Sequence, residues 1–220
     1  DHKALPRYLQ KMVLAVPIES NFIKQLADHL NAEVVSGTVT NVNEAVTWIG
    51  YTYLYVRMMK NPLAYGITMD QKNDDPMLRE RCKDLVMQAL QQLNETKMVR
   101  YDSSSGNLGM TDSGRIAAHF YIQAESVSTF NDMLEHRPSP TDSDLFAIIA
   151  SATEFEQLRL RQEEQSELDK LKGECPLKYD GPIHDSASKA FVLMQAYISR
   201  TRIKGFTLIS DCNYIAANAG

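Results

Sequence analysis

Apolar residues recur along this chain at helical spacing, and polar punctuation cuts them into segments. Tyr8 to Val16 is an apolar stretch that runs into Pro17, where a helix breaks. Ser20 stands as an N-cap before Phe22, Ile23, Leu26, Ala27 and Leu30, one face of a helix that Gly37 and Thr38 end. Asn41, with Glu44 three residues on, predicts a second start. The helix from there carries two apolar stripes, Ala45-Val46-Ile49-Tyr53-Val56 and Trp48-Tyr51-Tyr55-Met59. It is expected to run buried between neighbours until Pro62. Asp75-Pro76 predicts the start of a third, with Leu78, Cys82, Leu85, Val86, Ala89, Leu90 and Leu93 on one face. The period then changes. Met98–Tyr101 and Asn107–Thr111 read as short strands around the turn cluster Asp102–Gly106. Three helices followed by a hairpin predict a winged-helix domain, a three-helix core with a short β-hairpin wing.

Beyond Thr111 the pattern is all helix. Thr111 or Asp112 caps a helix through Ile116, Ala117 and Phe120. Ser126 caps another, and Thr141 a third with Leu145, Ile148 and Ile149. Glu154 to Leu171 is strongly charged, with few apolar positions. Its carboxylates Glu154, Glu156, Glu163, Glu164 and Glu167 read as a solvated face, or else a site for a basic partner. Cys175 to Ile183 is a loop. Asp185 or Ser186 opens a helix that Gly205 ends, and Ser210 to Gly220 begins one more that the chain does not complete. The fold class is therefore mainly α, a winged helix followed by a truncated all-α bundle. Residues 1–16 form a linker, 17–111 the winged helix and 112–220 the bundle. With no initiating methionine and an unfinished last helix, both ends are expected to be cuts in a longer protein.

Composition narrows the function. The 220 residues are 44% hydrophobic, enough for a packed core. The net charge is −5, so a contact with nucleic acid has to be local. Arg200, Arg202 and Lys204 are the densest basic spot, read from the residues alone as cations suiting a helix C-terminus. The wing has Arg100 beside serines and an aspartate, which suits a solvated turn better than a phosphate track. Trp48, Tyr51, Tyr53 and Tyr55 are expected to pack the core, with a base-stacking platform as the alternative. Cys82, Cys175 and Cys212 lie far apart with no C-x-x-C pair, which fits a reducing compartment and no zinc. His29, His119 and His184 have no metal spacing either. No run reaches the roughly 18 apolar residues that span a bilayer, so no membrane contact is expected. The phosphate loop G-x-x-x-x-G-K-[ST] is missing, as are paired carboxylates that could hold magnesium and any nucleophile elbow. The chain itself is expected to be no enzyme, and to hold no cofactor and no metal.

Several blocks, in order, carry a resemblance: PIESNF, LADHLNAE, GTVTN, AVTWIGYTYLYVRM, NPLAYGI, TDSGRIAAHFYI, DLFAIIASATEFEQLRLRQEE and LMQAYISR. They cover almost the whole chain. They resemble the N-terminal cassette of two-cassette superfamily 2 RNA helicases. There the first part is a winged helix that braces the motor domains. The second begins a ratchet domain shared with a protein-translocation subunit. The resemblance implies a parent that pulls a single strand of RNA or DNA with ATP and magnesium, held in motor domains preceding this chain. It implies partners in a larger complex and a place in the nucleus or cytoplasm. It puts Ser199 and Arg202 near the channel, with Asn213 and Gly220 on one face of the ratchet helix, where simpler relatives carry larger side chains. A protein-interaction scaffold without strand contact is the competing reading, favoured by the acidic balance.

Overall fold

Residues 4–14, 17–135, 137–178 and 182–218 are described by the structure, a computed structural model. They divide into two compact units. The first runs to Asn94 and takes in Val99–Met110; the second takes Glu95–Met98 and everything from Thr111.

In the first unit, α1 (Leu5–Val13) has proline in its first turn and buries none of its residues. A 3-10 turn at Phe22–Gln25 precedes α2 (Leu26–Ser36), so this helix starts later than Ser20. The Ser20 hydroxyl instead accepts the Phe22 N–H at 3.3 Å. α2 stops where Gly37 adopts φ +79°, a left-handed conformation that lets the Thr38 N–H donate back to the Glu33 carbonyl at 3.0 Å.

The single helix expected from Asn41 to Pro62 is two, α3 (Val42–Ile49) and α4 (Tyr53–Lys60). The Asn41 side chain caps the first by accepting the Glu44 N–H. Thr52 caps the second by accepting the Tyr55 N–H at 3.3 Å, while its own hydroxyl donates to Ile49 O at 2.6 Å. The break at Gly50–Thr52 resets the helical phase. Ala45, Ile49, Leu54 and Met58 are fully buried, whereas Tyr51 is 85% and Tyr53 55% exposed. Trp48 and Tyr55 are half-buried. The aromatic set therefore does not fill the core. Trp48 leans on Phe22 at 5.9 Å between ring centroids, and Tyr53 and Tyr55 donate their hydroxyls to Ile18 O and Met77 O.

Beyond them, α5 (Met69–Asp74) rests on a Thr68–Gln71 capping box that the sequence reading passes over. α6 (Arg79–Glu95) starts after Asp75-Pro76, whose Asp75 carboxylate accepts the Glu80 N–H at 2.8 Å. The wing is β1 (Val99–Tyr101) antiparallel to β2 (Leu108–Met110), with Arg100 opposite Gly109. Asn41 adds a single bridge to Asn107, so the residues before α3 act as a rudimentary third strand. At the turn, the Asp102 carboxylate takes hydrogen bonds from Ser105 and Ser104, which hold it at about 2.

In the second unit, Thr111 caps α7 (Asp112–Phe120) and its hydroxyl lies 2.7 Å from both Lys97 O and Met98 O. Asn131 of α8 (Ala124–Glu135) donates to Thr96 O at 2.9 Å. This helix begins ahead of Ser126 because the Glu154 carboxylate accepts the Gln123 N–H at 2.8 Å. A Thr141–Asp144 capping box starts α9 (Asp142–Ala150). The charged stretch is not one helix: 3-10 turns at Thr153–Phe155 and Gln162–Glu164 lead into α10 (Gln165–Glu174). Capped by Asp185, α11 (Ser186–Ile198) is buried on nearly every side and packs against α9, α10 and α12 (Phe206–Asn218). Against expectation, α11 ends at Ile198 rather than Gly205, and α12 begins before Ser210. Phe155, Leu168, Phe191, Leu193, Leu208 and Ile215 are among the core side chains.

Candidate nucleic-acid interface

The end of α11 closes in a Schellman turn. Arg200 donates its N–H to Tyr197 O and Thr201 to Ala196 O, at 3.1 and 2.9 Å. Arg200 holds φ +54°, the left-handed conformation usually given to glycine. The turn turns the polypeptide outward, so that Ser199, Arg200, Arg202 and Lys204 are all exposed. Among the described residues, no carboxylate forms an ion pair with any of the three cations.

α12 follows directly. Its inner face carries Leu208, Cys212 and Ile215, all buried. Its outer face carries Phe206, Ser210, Asn213 and Ala217, spaced four, three and four apart, and all exposed. Phe206 is 85% exposed. Asn213 lines a groove of about 300 Å³ together with Tyr197, Arg200, Ile203 and Ile209. Asn213 and Arg200 thus share that groove. Ser199 and Arg202 lie on the same exposed turn but do not line that groove, and Gly220 lies outside the described residues.

Beneath this surface lies a charge cluster. The Lys189 side chain on α11 is 0% exposed. Its ammonium donates to Glu164 Oε2 and Asp211 Oδ2, each at 2.6 Å, and to Arg159 O at 3.0 Å. All three of its donors are engaged. Arg161 bonds Glu164 as well and reaches Asp211 at 3.2 Å. Burial pushes the Glu164 carboxyl up, but hydrogen bonds from Lys189, Thr207 and Arg161 outweigh it and hold the group at about 2.

A family model described as a Sec63 Brl domain matches residues 110–220. The chain belongs to the Sec63 Brl domain family. A model described as a Winged Helix-turn-helix domain matches residues 19–99. The chain is thus a winged-helix domain followed by a helical Sec63 Brl domain. It is 48% identical over 98% of its length to activating signal cointegrator 1 complex subunit 3 of Dictyostelium discoideum. It is 46% identical over 99% to a DExH-box ATP-dependent RNA helicase of Arabidopsis thaliana. To the U5 small nuclear ribonucleoprotein 200 kDa helicase of Caenorhabditis elegans it is 43% identical over its full length. The resemblance to two-cassette superfamily 2 RNA helicases holds. The chain spans about 10% of the length of these relatives.

In the Sec63 Brl domain the acidic run does not form a solvated face. Glu164 is buried in the cluster. The Glu167 carboxylate accepts the Lys204 and Gly205 N–H groups at the start of α12, at 2.6 and 3.0 Å. Glu154 bonds Ser126 and the N–H of Gln123. Glu156 and Glu163 are exposed as expected. The sequence reading missed these roles because each partner is a distant residue. The winged helix has its own buried cation, Arg57, which donates two hydrogen bonds to Glu19 at 2.8 and 3.2 Å. Asn61 and Tyr65 donate to the same carboxylate. Arg57 above all, then Asn61 and Tyr65, hold Glu19 at about 2. Among the described residues no helix is long and apolar enough to cross a membrane.

Proposed function

We propose that this chain is a non-catalytic accessory region of an ATP-dependent nucleic-acid helicase. Residues 17–111 brace the motor domains that precede it, and residues 112–220 help to line the path of a single strand. The observation that carries the reading is the surface formed by the α11 turn and α12. In a chain of net charge −5, three cations with no ion-pair partner among the described residues lead into a helix whose outer face exposes an aromatic ring and an amide. Local positive charge plus a stacking surface is what a single strand of RNA or DNA binds. Arg202 meets phosphate, and Ser199 and Asn213 supply polar contacts. Phe206, on the same face as Asn213, joins them as a stacking group. ATP and magnesium belong to the parent's motor domains, and no cofactor is assigned to this chain. The parent works in the nucleus or cytoplasm with other subunits of a larger complex.

The second reading, a protein scaffold without strand contact, draws on α1. Its Tyr8, Met12 and Val13 are exposed and need a protein surface against them. A strand-displacement assay on the full-length protein separates the two. Arg202→Ala is expected to slow unwinding about 3- to 10-fold and to flatten its salt dependence, since one phosphate contact is lost. Unwinding at the wild-type rate and salt slope would remove the turn from the strand path and favour the scaffold.

A further inference from the structure

The charge cluster under α12 does more than fill space. Apolar contacts through Leu208, Cys212 and Ile215 hold a helix against a core, but they tolerate sliding and rotation. Directional hydrogen bonds do not. Asp211 bonds into the cluster through Lys189, which also holds Glu164. The Glu167 carboxylate holds the start of the helix, and the Tyr214 hydroxyl donates to Glu154 O at 2.9 Å further along. Three polar anchors thus hold α12, one at its start and two along it. The acceptors of Lys189 come from three separate places: the Arg159 carbonyl, the Gln162–Glu164 turn and α12. Buried ionic groups contribute best to fixing one register among several that apolar packing would allow.

We propose that the Lys189–Glu164–Asp211 cluster, with the Tyr214 anchor, is a register lock. It sets the axial and rotational position of α12, and so where Asn213 and Phe206 meet the strand. The lock rests on the strand-path reading above. Asp211 and Tyr214 are positioning residues that touch no strand themselves; they act through Asn213 on the outer face of the helix, two residues and one residue away.

The test uses the full-length protein with Asp211→Asn and Tyr214→Phe, which keep side-chain shape. RNA-free ATPase turnover, unwinding rate and thermal midpoint are measured for each, beside Asn213→Ala and Arg202→Ala. The lock predicts unchanged RNA-free turnover and at least a 3-fold fall in base pairs opened per ATP for both variants, at an assay temperature well below either midpoint. If either variant loses RNA-free turnover in step with unwinding, the cluster serves folding alone and the lock is overturned. If both unwind normally per ATP while Asn213→Ala or Arg202→Ala is slow, the lock fails and the strand path stands. If Asn213→Ala and Arg202→Ala are inert, the strand path fails and takes the lock with it, whatever the cluster variants do.

Discussion

Lys189→Met makes the sharpest test of how the second unit is held together. The side chain is fully buried, and the substitution keeps most of its volume while deleting the ammonium. Glu164, with 2% of its side chain exposed, and Asp211, with 15%, lose their fully buried donor. Breaking a buried ion pair from one side costs about 3–5 kcal/mol, because the remaining charge is left without compensation. The lower end applies here, since Arg161 still reaches both carboxylates. About 3 kcal/mol at roughly 4 °C per kcal/mol is a fall of about 12 °C in the melting midpoint followed by circular dichroism. The comparison that decides is the triple variant Lys189→Met, Glu164→Gln, Asp211→Asn. It removes the stranded charges together, and Arg161 is free to turn to water with 39% of its side chain already exposed. Its cost is expected within about 1 kcal/mol of wild type, about 2 kcal/mol less than that of the single variant. A single variant melting within about 2 °C of wild type, or a triple variant as weak as the single, would refute the account.

Glu19 is held at about 2 against an ordinary 4.5, first by Arg57, so its contribution is present above pH 4.5 and lost as pH falls towards 2. Melting midpoints measured from pH 6 downward should therefore drop through that window, and Glu19→Gln should shallow the drop; an identical acid limb in the variant would count against the clasp. Leu54→Ala, at a site with 0% exposure, is expected to cost about 2–5 kcal/mol. Half-buried Trp48→Ala should cost under about 2 kcal/mol, and denaturant titrations giving the reverse order would restore Trp48 to the core. Arg200→Gly relieves the left-handed conformation and should raise stability by about 1 kcal/mol, whereas a loss in the same titration would show that the arginine side chain stabilises the turn.

Much of the fold was legible because the signals were local. Asn41, Thr111, Thr141 and Asp185 each cap the helix that the pattern predicts, and the wing strands fall where the period changes. The aromatic residues went astray for a reason equally local. An apolar stripe extrapolated through Gly50–Thr52 assumes an unbroken helix, and the Thr52 cap shifts the phase so that Leu54 and Met58 point inward instead of Tyr53 and Val56. Glu164 could not be told from its exposed neighbour Glu163 by composition. Its partner Lys189 lies 25 residues away, and only the packing of α11 brings them together. The candidate surface was legible in part. Arg202 and Asn213 came from resemblance, while Phe206 was hidden by placing the start of α12 at Ser210.

The allocation of Glu95–Met98 to the second unit has a practical side. The division between the two units is not a single point along the polypeptide. A fragment begun at Thr111 would discard the carbonyls of Thr96, Lys97 and Met98. The Asn131 amide and the Thr111 hydroxyl would then lose their acceptors. One cut at that residue would yield a second unit frayed at α7 and α8. Anyone expressing that half alone would do better to keep Glu95–Met98 and replace the intervening wing with a short flexible loop.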